Sequence, residues 1–211
     1  PSHETIEVDF AIVGSGAAGS VLAYYLAAAG ERVLLIERGK APQNRLCPIS
    51  ATQKCLRCKP CNILSGVGGA GLFSDGKLNF IYKLGKSDLS QFMNIEQAQA
   101  RIDETEVIFN RFGMDGPVYP TDLDAAHAIG RTAKRHGIDL LIIRQKHLGS
   151  DRLPDYIGAM ADAIRSRGVV VHTSEEARDI AVTDGRYLTA RFFYARAYCR
   201  ATQDRECFVR G

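Results

Sequence analysis

The first residues with recognisable chemistry form a glycine-rich turn near the start of the chain, Gly14-Ser15-Gly16-Ala17-Ala18-Gly19. It follows an apolar segment and opens an Ala- and Leu-rich one, the context in which G-x-G-x-x-G binds a dinucleotide. Gly14 permits the tight turn, Gly16 lets the backbone approach a pyrophosphate, and Gly19 lets the helix pack close to the strand. The helix N-terminus then faces the diphosphate charge. The alternative is a turn that serves helix packing alone.

An acidic residue stands at the distance from this turn that nucleotide binding requires. Glu37 closes a second apolar segment about twenty residues on, where its carboxylate can accept hydrogen bonds from both ribose hydroxyls of an adenosine. It would repel a 2′-phosphate, so NADP is a poor candidate ligand. The agreement of strand, glycines, helix, strand and acidic residue favours nucleotide binding over a structural turn. The predicted cofactor site also includes Arg38.

Four of the six cysteines lie close together in the sequence, at Cys47, Cys55, Cys58 and Cys61. Four thiolates in a flexible loop suffice for tetrahedral zinc or for an iron–sulfur cluster. The tight triple spacing resembles a ferredoxin motif, although Cys47 precedes the run rather than following it. Redox-active or structural thiols are an equal alternative, and passive cysteines are the third. A disulfide scaffold is not expected in a chain with this much apolar core.

Periodicity predicts the elements that position these residues. Ile6–Val13 is typical of a strand buried in a parallel sheet, and Arg32–Glu37 is a second one. Ala17–Ala29 is predicted to be a helix that Gly30 closes, which completes a strand–helix–strand crossover. Residues from Arg38 to about Asn79 are predicted to form a long functional loop that a ligand or metal orders.

Further elements follow that loop. Helices are predicted over Ile95–Phe112, over Thr121–Arg135 and from Ser150 or Asp151 to Gly168. Strands are predicted over Asp139–Arg144 and Val169–His172. A hairpin is predicted from Asp179–Thr183 and Arg186–Phe193, which flank Asp184-Gly185. In a simple NAD domain the third parallel strand arrives after one short helix. Here it is delayed by about 130 residues and leads into a hairpin, which fits a flavin domain better.

The chain is therefore divided into four segments. These are the first strand, helix and strand of an FAD-binding domain (1–40), a Cys- and Gly-rich loop with an inserted helical region (41–150), a return to the FAD-binding domain (151–193) and an atypical tail (194–211).

The first forty residues resemble the FAD domain of the glutathione-reductase-like flavoproteins. The segment Cys47–Cys61 with the following SGVGGAGLFSDGKLNF, and later KHLGSD and GVVVHT, are similar to a group of bacterial FAD-dependent dehydrogenases. The resemblance covers roughly residues 7–193 and implies FAD as the cofactor. It also implies a longer enzyme, in which an Ala-Pro-Gly or Ala-Thr-Gly turn completes the FAD domain. That turn should follow Arg191–Tyr194, where the sequence continues as ARAYCRATQ, so we expect a truncated or frame-shifted chain.

A second glycine-rich run, Ser65–Gly71, can bring backbone N–H groups against a phosphate or the flavin edge. The predicted cofactor contacts there are Gly68, Gly69, Ala70 and Gly71. Reduction adds negative charge at the flavin N1 side, which a nearby lysine would stabilise, and Lys77 is the hypothesis for that role. The alternative is a turn at Asp75-Gly76 that leaves Lys77 solvated. Lys77, Asp75 and His147 are the candidate catalytic residues, although a lone histidine such as His147 is more often an ordinary polar residue near a helix cap.

Composition excludes several classes of partner. The sequence is 45% hydrophobic and 24% charged with a net charge of +3, and its interspersed charges make no case for nucleic acid or anionic lipid. No stretch reaches the roughly 18 consecutive apolar residues of a membrane span, and no leader is recognisable, so a cytoplasmic location is expected.

The sequence thus predicts an α/β fold, a Rossmann-like FAD/NAD(P)-binding domain with a parallel sheet, helices and a small β-hairpin or meander, incomplete at the C-terminus. The predicted function is that of an FAD-dependent oxidoreductase, a dehydrogenase whose small-molecule substrate and redox partner are not readable. The alternatives are an NAD-linked dehydrogenase, a non-catalytic remnant of such a flavoenzyme and a small iron–sulfur or zinc module.

Overall fold

A computed structural model of the chain describes residues 5–183, 187–194 and 204–210. Its strands are β1 (Thr5–Val8), β2 (Phe10–Val13), β3 (Val33–Glu37), β4 (Lys77–Asn79), β5 (Lys83–Leu84), β6 (Ser87–Asp88), β7 (Val118–Tyr119), β8 (Gln145–His147), β9 (Val170–Thr173), β10 (Glu175–Thr183), β11 (Tyr187–Tyr194) and β12 (Asp204–Arg210). Its helices are α1 (Ala17–Ala28), α2 (Ile49–Thr52), α3 (Ile95–Asn110), α4 (Leu123–Arg135) and α5 (Leu153–Ser166), with 3-10 turns at Pro42–Asn44, Gly69–Phe73 and Leu89–Gln91.

The chain divides into two compact units. The first contains the residues up to Phe73 and those from Ile157 onward, and the second contains Ser74–Tyr156.

A parallel sheet with the order β2-β3-β9 forms the centre of the first unit. All five residues of β3 are buried, because this strand lies between two neighbours and carries an apolar sequence with no alternation. The predicted third strand is confirmed as β9, which pairs with β3 from Leu34↔Val170 to Glu37↔Thr173. The sheet therefore brings the C-terminal ends of these strands to one edge, where open α/β sheets bind their ligands.

The predicted first strand over Ile6–Val13 is interrupted at Asp9. The N–H groups of Asp9 and Phe10 both donate to the carbonyl of Arg32, and the Asp9 carboxylate pairs with the Arg32 guanidinium at 2.7 Å. This pairing bends the chain, so that β1 and β2 enter different sheets.

The second sheet has the order β1-β12-β11-β10. The predicted hairpin is confirmed as the antiparallel pair β10 and β11, while its Asp184-Gly185 turn lies outside the described residues. β12 is antiparallel to β11 and parallel to β1, which makes a meander of β10, β11 and β12. The segment ARAYCRATQ, where the resemblance places the completing turn, lies outside the described residues.

The helices of the first unit follow from their sequence patterns. α1 begins within the glycine-rich turn, at Ala17, and buries Ser20, Ala23 and Tyr24. α5 buries the predicted periodic positions Leu153, Met160 and Ile164, with Ile157 half-buried. Beyond its end, the Arg167 guanidinium lies 4.1 Å from the ring centroid of Tyr24 and donates to its hydroxyl, which joins this segment to α1.

The second unit contains α3, α4, a hairpin of β5 and β6, and an antiparallel sheet with the order β4-β8-β7. Lys146 of β8 is 3% exposed, and its ammonium group bonds Glu106 at 2.9 Å and Asn110 at 2.6 Å on α3. A buried ammonium needs such partners, so this contact fixes β8 against the helix.

Two predicted elements of the second unit differ from the structure. The predicted strand over Asp139–Arg144 is wrong, because these residues have no regular structure and only Gln145–His147 pair with β4 and β7. An apolar, β-branched segment without a long partner strand does not form a ladder. The helix predicted from Thr121 begins at Leu123, and Asp122 caps it by accepting the N–H of Ala125 at 2.9 Å.

Among the described residues, no helix combines the length and apolar character that crossing a membrane requires.

The packing of Gly19 generates a testable prediction. A Cβ on Gly19 would overlap the Gly14 carbonyl, so Gly19→Ala should lower the free energy of unfolding by about 1–3 kcal/mol, the usual cost of overpacking. Gly158 is the matched control, because it lies within α5 and a Cβ there meets nothing within 4 Å. Gly158→Ala should raise the free energy of unfolding by about 0.5–1 kcal/mol. Urea denaturation followed by circular dichroism measures both changes, and equal effects of the two substitutions would contradict the packing described for the turn.

Candidate functional site

The glycine turn leads from the end of β2 into the first turn of α1, and each of its three glycines has a different environment. Gly14 has φ +96°, a left-handed conformation that favours glycine, and its N–H donates to the Ile36 carbonyl at 2.7 Å. Gly19 is required by packing against the Gly14 carbonyl. Gly16 has φ −69° and ψ −176°, which any residue adopts, and a Cβ there would meet no protein atom within 4 Å. The protein itself therefore does not explain the glycine at position 16.

The first turn of α1 is open to an anion. No side chain caps it, and no acidic residue lies in it. Ala17 and Ala18 are exposed at this end of the helix, whereas Ser15 is buried. The backbone N–H groups and the helix dipole therefore present partial positive charge without a neutralising side chain of the helix itself.

Glu37 lies at the end of β3 and is 5% exposed, yet it is fully hydrogen-bonded. One carboxylate oxygen, Oε2, accepts the N–H and the hydroxyl of Ser15, both at 2.9 Å. The other, Oε1, accepts the N–H of Gly39 at 2.8 Å and that of Gly66 at 2.9 Å. A carboxylate offers about four lone-pair positions, so these donors use its capacity. A ribose hydroxyl would have to share or replace one of them, and ribose binding by Glu37 stays a prediction.

Arg45 is the second buried charge of the site, with 2% exposure. Its Nη1 donates to the carbonyls of Val67 and Gly69, both at 2.8 Å. Its Nε and Nη2 donate to the carbonyls of Asn62 and Ile63 at 3.0 and 2.7 Å. Burial lowers the pKa of Arg45, while the charges of Glu37 and Cys61 act in the opposite direction. The guanidinium thus holds the loop between residues 62 and 69 through its carbonyl groups.

This loop lies directly against the first glycine turn. Gly68 N–H donates to the Ser15 carbonyl at 2.9 Å, and Val67 N–H donates to the Lys40 carbonyl at 3.0 Å. A Cβ on Gly39 would overlap the backbone of Ser65 and Gly66. The chain just after β3 and the loop at residues 65–66 therefore approach as closely as two backbones can. The two glycine-rich segments predicted from the sequence therefore meet.

Between them lies a cleft of about 420 Å³, within the usual range of small-molecule sites. One wall consists of the strand ends and the glycine turn, a second of the loop at Leu64–Gly66 with Gly69, and a third of the start of β10 at Glu175–Ala177. Gly14, Gly16, Glu37, Arg38 and Gly69 are the predicted cofactor residues that line it. We name this space the nucleotide cleft.

The other predicted glycine contacts have different surroundings. A Cβ on Gly68 would lie 2.6 Å from the side chain of Ile157, so packing against α5 accounts for this glycine. Ala70 and Gly71 are exposed on the following 3-10 turn. Their contact with a cofactor stays a prediction.

A zinc or iron–sulfur site requires the four cysteine thiols to lie close together, and the structure does not bring them together. Cys47, Cys58 and Cys61 are half-buried and Cys55 is exposed, and all four are free thiols. Within the described part of the chain, no three His, Cys, Asp or Glu side chains are grouped so that they could hold a metal ion. The four thiols are therefore not arranged as a zinc or iron–sulfur site.

The candidate catalytic residues all lie in the second unit. Lys77 of β4 pairs in register with His147 of β8, which places both on one ladder. Lys77 is exposed and forms an ion pair with Asp75 at 3.0 Å, and this hydrogen bond lowers the pKa of Asp75. Gly76 has φ +72°, as in the turn that the alternative interpretation predicts. Their catalytic roles stay predictions.

Several residues that shape the site are distant from its motifs in the sequence and were not predicted. Arg45 has no motif around it, the bond from Gly66 to Glu37 was not predicted although Gly66 lies in the run Ser65–Gly71, and the third wall at Glu175–Ala177 is about 140 residues from Glu37. Arg45 is one of several basic residues in this Gly- and Cys-rich segment, and no feature of the sequence distinguishes it from the others.

Removing the Arg45 guanidinium should destabilise the protein strongly. Arg45→Met leaves four carbonyls without their donor and Glu37 without the nearby cation, so we expect the free energy of unfolding to fall by about 3–5 kcal/mol. Arg131→Met is the matched control, since Arg131 is exposed on α4 and its loss should change stability by less than about 0.5 kcal/mol. Urea denaturation of both variants measures the difference, and a small effect at position 45 would show that the loop does not depend on this contact.

Part of this chain is similar to a known protein family. A family model described as FAD dependent oxidoreductase matches residues 9–45, which contain the glycine turn, Glu37 and Arg45. No curated protein matches the chain.

Solved structures share the fold. The 3-ketosteroid-delta4-(5alpha)-dehydrogenase of Rhodococcus jostii RHA1 matches with a TM-score of 0.52 and 14% identity, covering 97% of this chain and 44% of the dehydrogenase. The glycine oxidase of Geobacillus kaustophilus matches with a TM-score of 0.50 and 17% identity, covering 90% of this chain and 52% of the oxidase. The chain spans about half the length of these structures. Residues 9–45 are thus similar to the family model of FAD-dependent oxidoreductases, and the chain shares the Rossmann-like fold of these two structures.

Proposed function

We propose that the nucleotide cleft binds the adenosine diphosphate half of FAD, and that the chain is the nucleotide-binding part of an FAD-dependent oxidoreductase. The observation that carries the proposal is the open space at Gly16. Gly14 and Gly19 are explained by backbone conformation and packing, whereas Gly16 lines the cleft and faces no protein atom that a Cβ would meet. A glycine at this position is needed where a ligand approaches the backbone closely.

Each part of the cleft has a role in this proposal. The N-terminal turn of α1 supplies backbone N–H groups and dipole charge to the diphosphate. Gly16 and Gly69 allow its close approach, because neither presents a side chain. Arg38 lines the cleft with Glu37 and would contact the nucleotide there, while its Nε donates to the Ser65 hydroxyl at 3.0 Å. Bound FAD would supply hydride or electron-pair transfer, and these residues would hold and orient it.

FAD is favoured over NAD by two observations. The matched family model is that of FAD-dependent oxidoreductases, and β9 leads into the β10–β11–β12 meander rather than into another crossover. The dehydrogenase reaction, its substrate and a cytoplasmic location belong to the proposal as well, because the relatives in fold act on different substrates.

The test is a substitution that separates ligand binding from folding. Gly16→Ala should leave the unfolding free energy of the ligand-free protein within about 0.5 kcal/mol, because the backbone is already in a conformation that alanine adopts. It should weaken FAD binding at least about tenfold, or about 1.4 kcal/mol, since the methyl group would occupy the diphosphate position. Isothermal titration with FAD measures this, and Gly158→Ala is the control. Unchanged FAD affinity in Gly16→Ala would refute the proposal, as would tighter binding of NAD than of FAD.

The ribose contact of Glu37 can be tested with nucleotides alone. If a ribose hydroxyl shares or replaces one of the four donors on this carboxylate, ADP should bind about tenfold more tightly than 2′-deoxy-ADP or 3′-deoxy-ADP. Titration calorimetry with the three nucleotides measures the ratios. Equal affinities would mean that Glu37 serves the loop and does not contact the ribose.

A further inference from the structure

A second cleft in the same unit has charged residues that the nucleotide cleft does not contain. Its volume of about 490 Å³ lies within the usual range of small-molecule sites. The charged residues that line it are Arg38, Lys59, Glu176 and Arg178, and we name it the cationic cleft. Arg38 and Glu176 also line the nucleotide cleft, so the two spaces are neighbours. Lys59 and Arg178 line the cationic cleft alone.

The charges of the cationic cleft do not balance. Three basic side chains and one carboxylate line it, which leaves an excess of two positive charges. Glu176 pairs with Arg178 at 3.4 Å, but the two side chains are 43% and 59% exposed, so water screens this ion pair. An excess of positive charge in a concave site attracts an anion.

A buried hydroxyl holds the Arg38 guanidinium beside the cleft. Its Nε donates to the Ser65 hydroxyl at 3.0 Å, and Ser65 is 5% exposed. This bond uses one of the five N–H donors of a guanidinium. Among the described residues, no acceptor binds the two Nη groups of Arg38, so these groups are available to a ligand.

Arg178 reaches the cationic cleft from an irregular point in β10. The pairing of β10 with β11 shifts register between Ala177 and Asp179, as at a β-bulge. Ala177 lines the nucleotide cleft, whereas the next residue, Arg178, lines the cationic cleft. Bulges change the direction of side chains and are common beside binding sites. One strand therefore contributes a wall to the first cleft and a cation to the second.

We propose that the cationic cleft binds the phosphate group of a small phosphorylated molecule. A phosphate ester carries a charge of about −1.5 to −2 at pH 7, which matches the excess of two positive charges better than a single carboxylate does. Arg38 and Arg178 present planar sets of N–H donors that fit phosphate oxygens, and Lys59 adds a compact positive charge. This binding requires no nucleotide, so it does not rest on the proposal for FAD.

The experiment uses inorganic phosphate as the probe and nuclear magnetic resonance of the isotope-labelled full chain. Phosphate replaces chloride at constant ionic strength, and the backbone amide signals of Lys59 and Arg178 should shift to a plateau. Lys59→Gln and Arg178→Gln should each weaken phosphate binding at least about fivefold, because each removes a cation that lines this cleft alone.

Lys54→Gln is the matched control, since Lys54 is an exposed lysine of the same loop that does not line the cleft. It should leave the phosphate affinity unchanged. Equal affinities of Lys59→Gln and Lys54→Gln would overturn the proposal. Shifts that rise without a plateau would also overturn it, because they would show an adventitious ion only.

Malonate tests the choice of phosphate over a carboxylate. It carries a similar charge, but on two separate carboxylates, whereas phosphate gathers its oxygens around one atom that cations from three segments can contact together. Malonate should therefore bind at least about threefold more weakly than phosphate. Tighter binding of malonate would overturn the assignment of a phosphate site.

ADP distinguishes a separate phosphorylated molecule from the phosphates of the nucleotide itself. With ADP at saturation, inorganic phosphate should still shift the signals of Lys59 and Arg178, because ADP occupies the neighbouring cleft. Loss of phosphate binding on addition of ADP, together with weaker ADP binding by Lys59→Gln, would overturn the proposal of a second ligand. A chain that binds phosphate as expected but does not bind ADP would support this proposal and refute the one for FAD.

Discussion

Two buried charges, Glu37 and Arg45, hold the site together by binding different backbone groups. Glu37 accepts N–H groups from the glycine turn and from Gly39 and Gly66, while Arg45 donates to four carbonyls of the loop after Asn62. Each charge is stabilised mainly by peptide dipoles, as burial of an ionised group demands. The position of the loop and the shape of the nucleotide cleft both depend on this arrangement.

The glycines show how packing and ligand binding can be told apart in a ligand-free structure. Gly19 and Gly68 are required because a Cβ would overlap the Gly14 carbonyl or the Ile157 side chain. Gly14 is required by its backbone conformation. Neither cause applies to Gly16. This glycine lines the cleft, and a Cβ there would meet no protein atom within 4 Å. The G-x-G-x-x-G pattern therefore combines residues that fold the turn with one that the ligand requires.

Local patterns predicted much of the first unit. The strand–helix–strand start, the place of Glu37 and the return at β9 follow from hydrophobic periodicity and a turn motif, which act over short distances. The roles of Arg45 and of the wall at Glu175–Ala177, and the bond from Gly66 to Glu37, were not predicted, because they depend on contacts between distant segments. The segment Asp139–Arg144 shows the converse, since its strand propensity is not met by a partner long enough to pair with it.

The central claim is that the cleft recognises the adenosine diphosphate half of FAD, and competition for a fluorescent flavin tests it most directly. Titration of FAD with the full chain should change the flavin fluorescence to a plateau, and ADP should reverse the change while riboflavin, which lacks the diphosphate and adenosine, should not. Fluorescence that stays unchanged at saturating protein, or a signal that riboflavin reverses and ADP does not, would contradict the account.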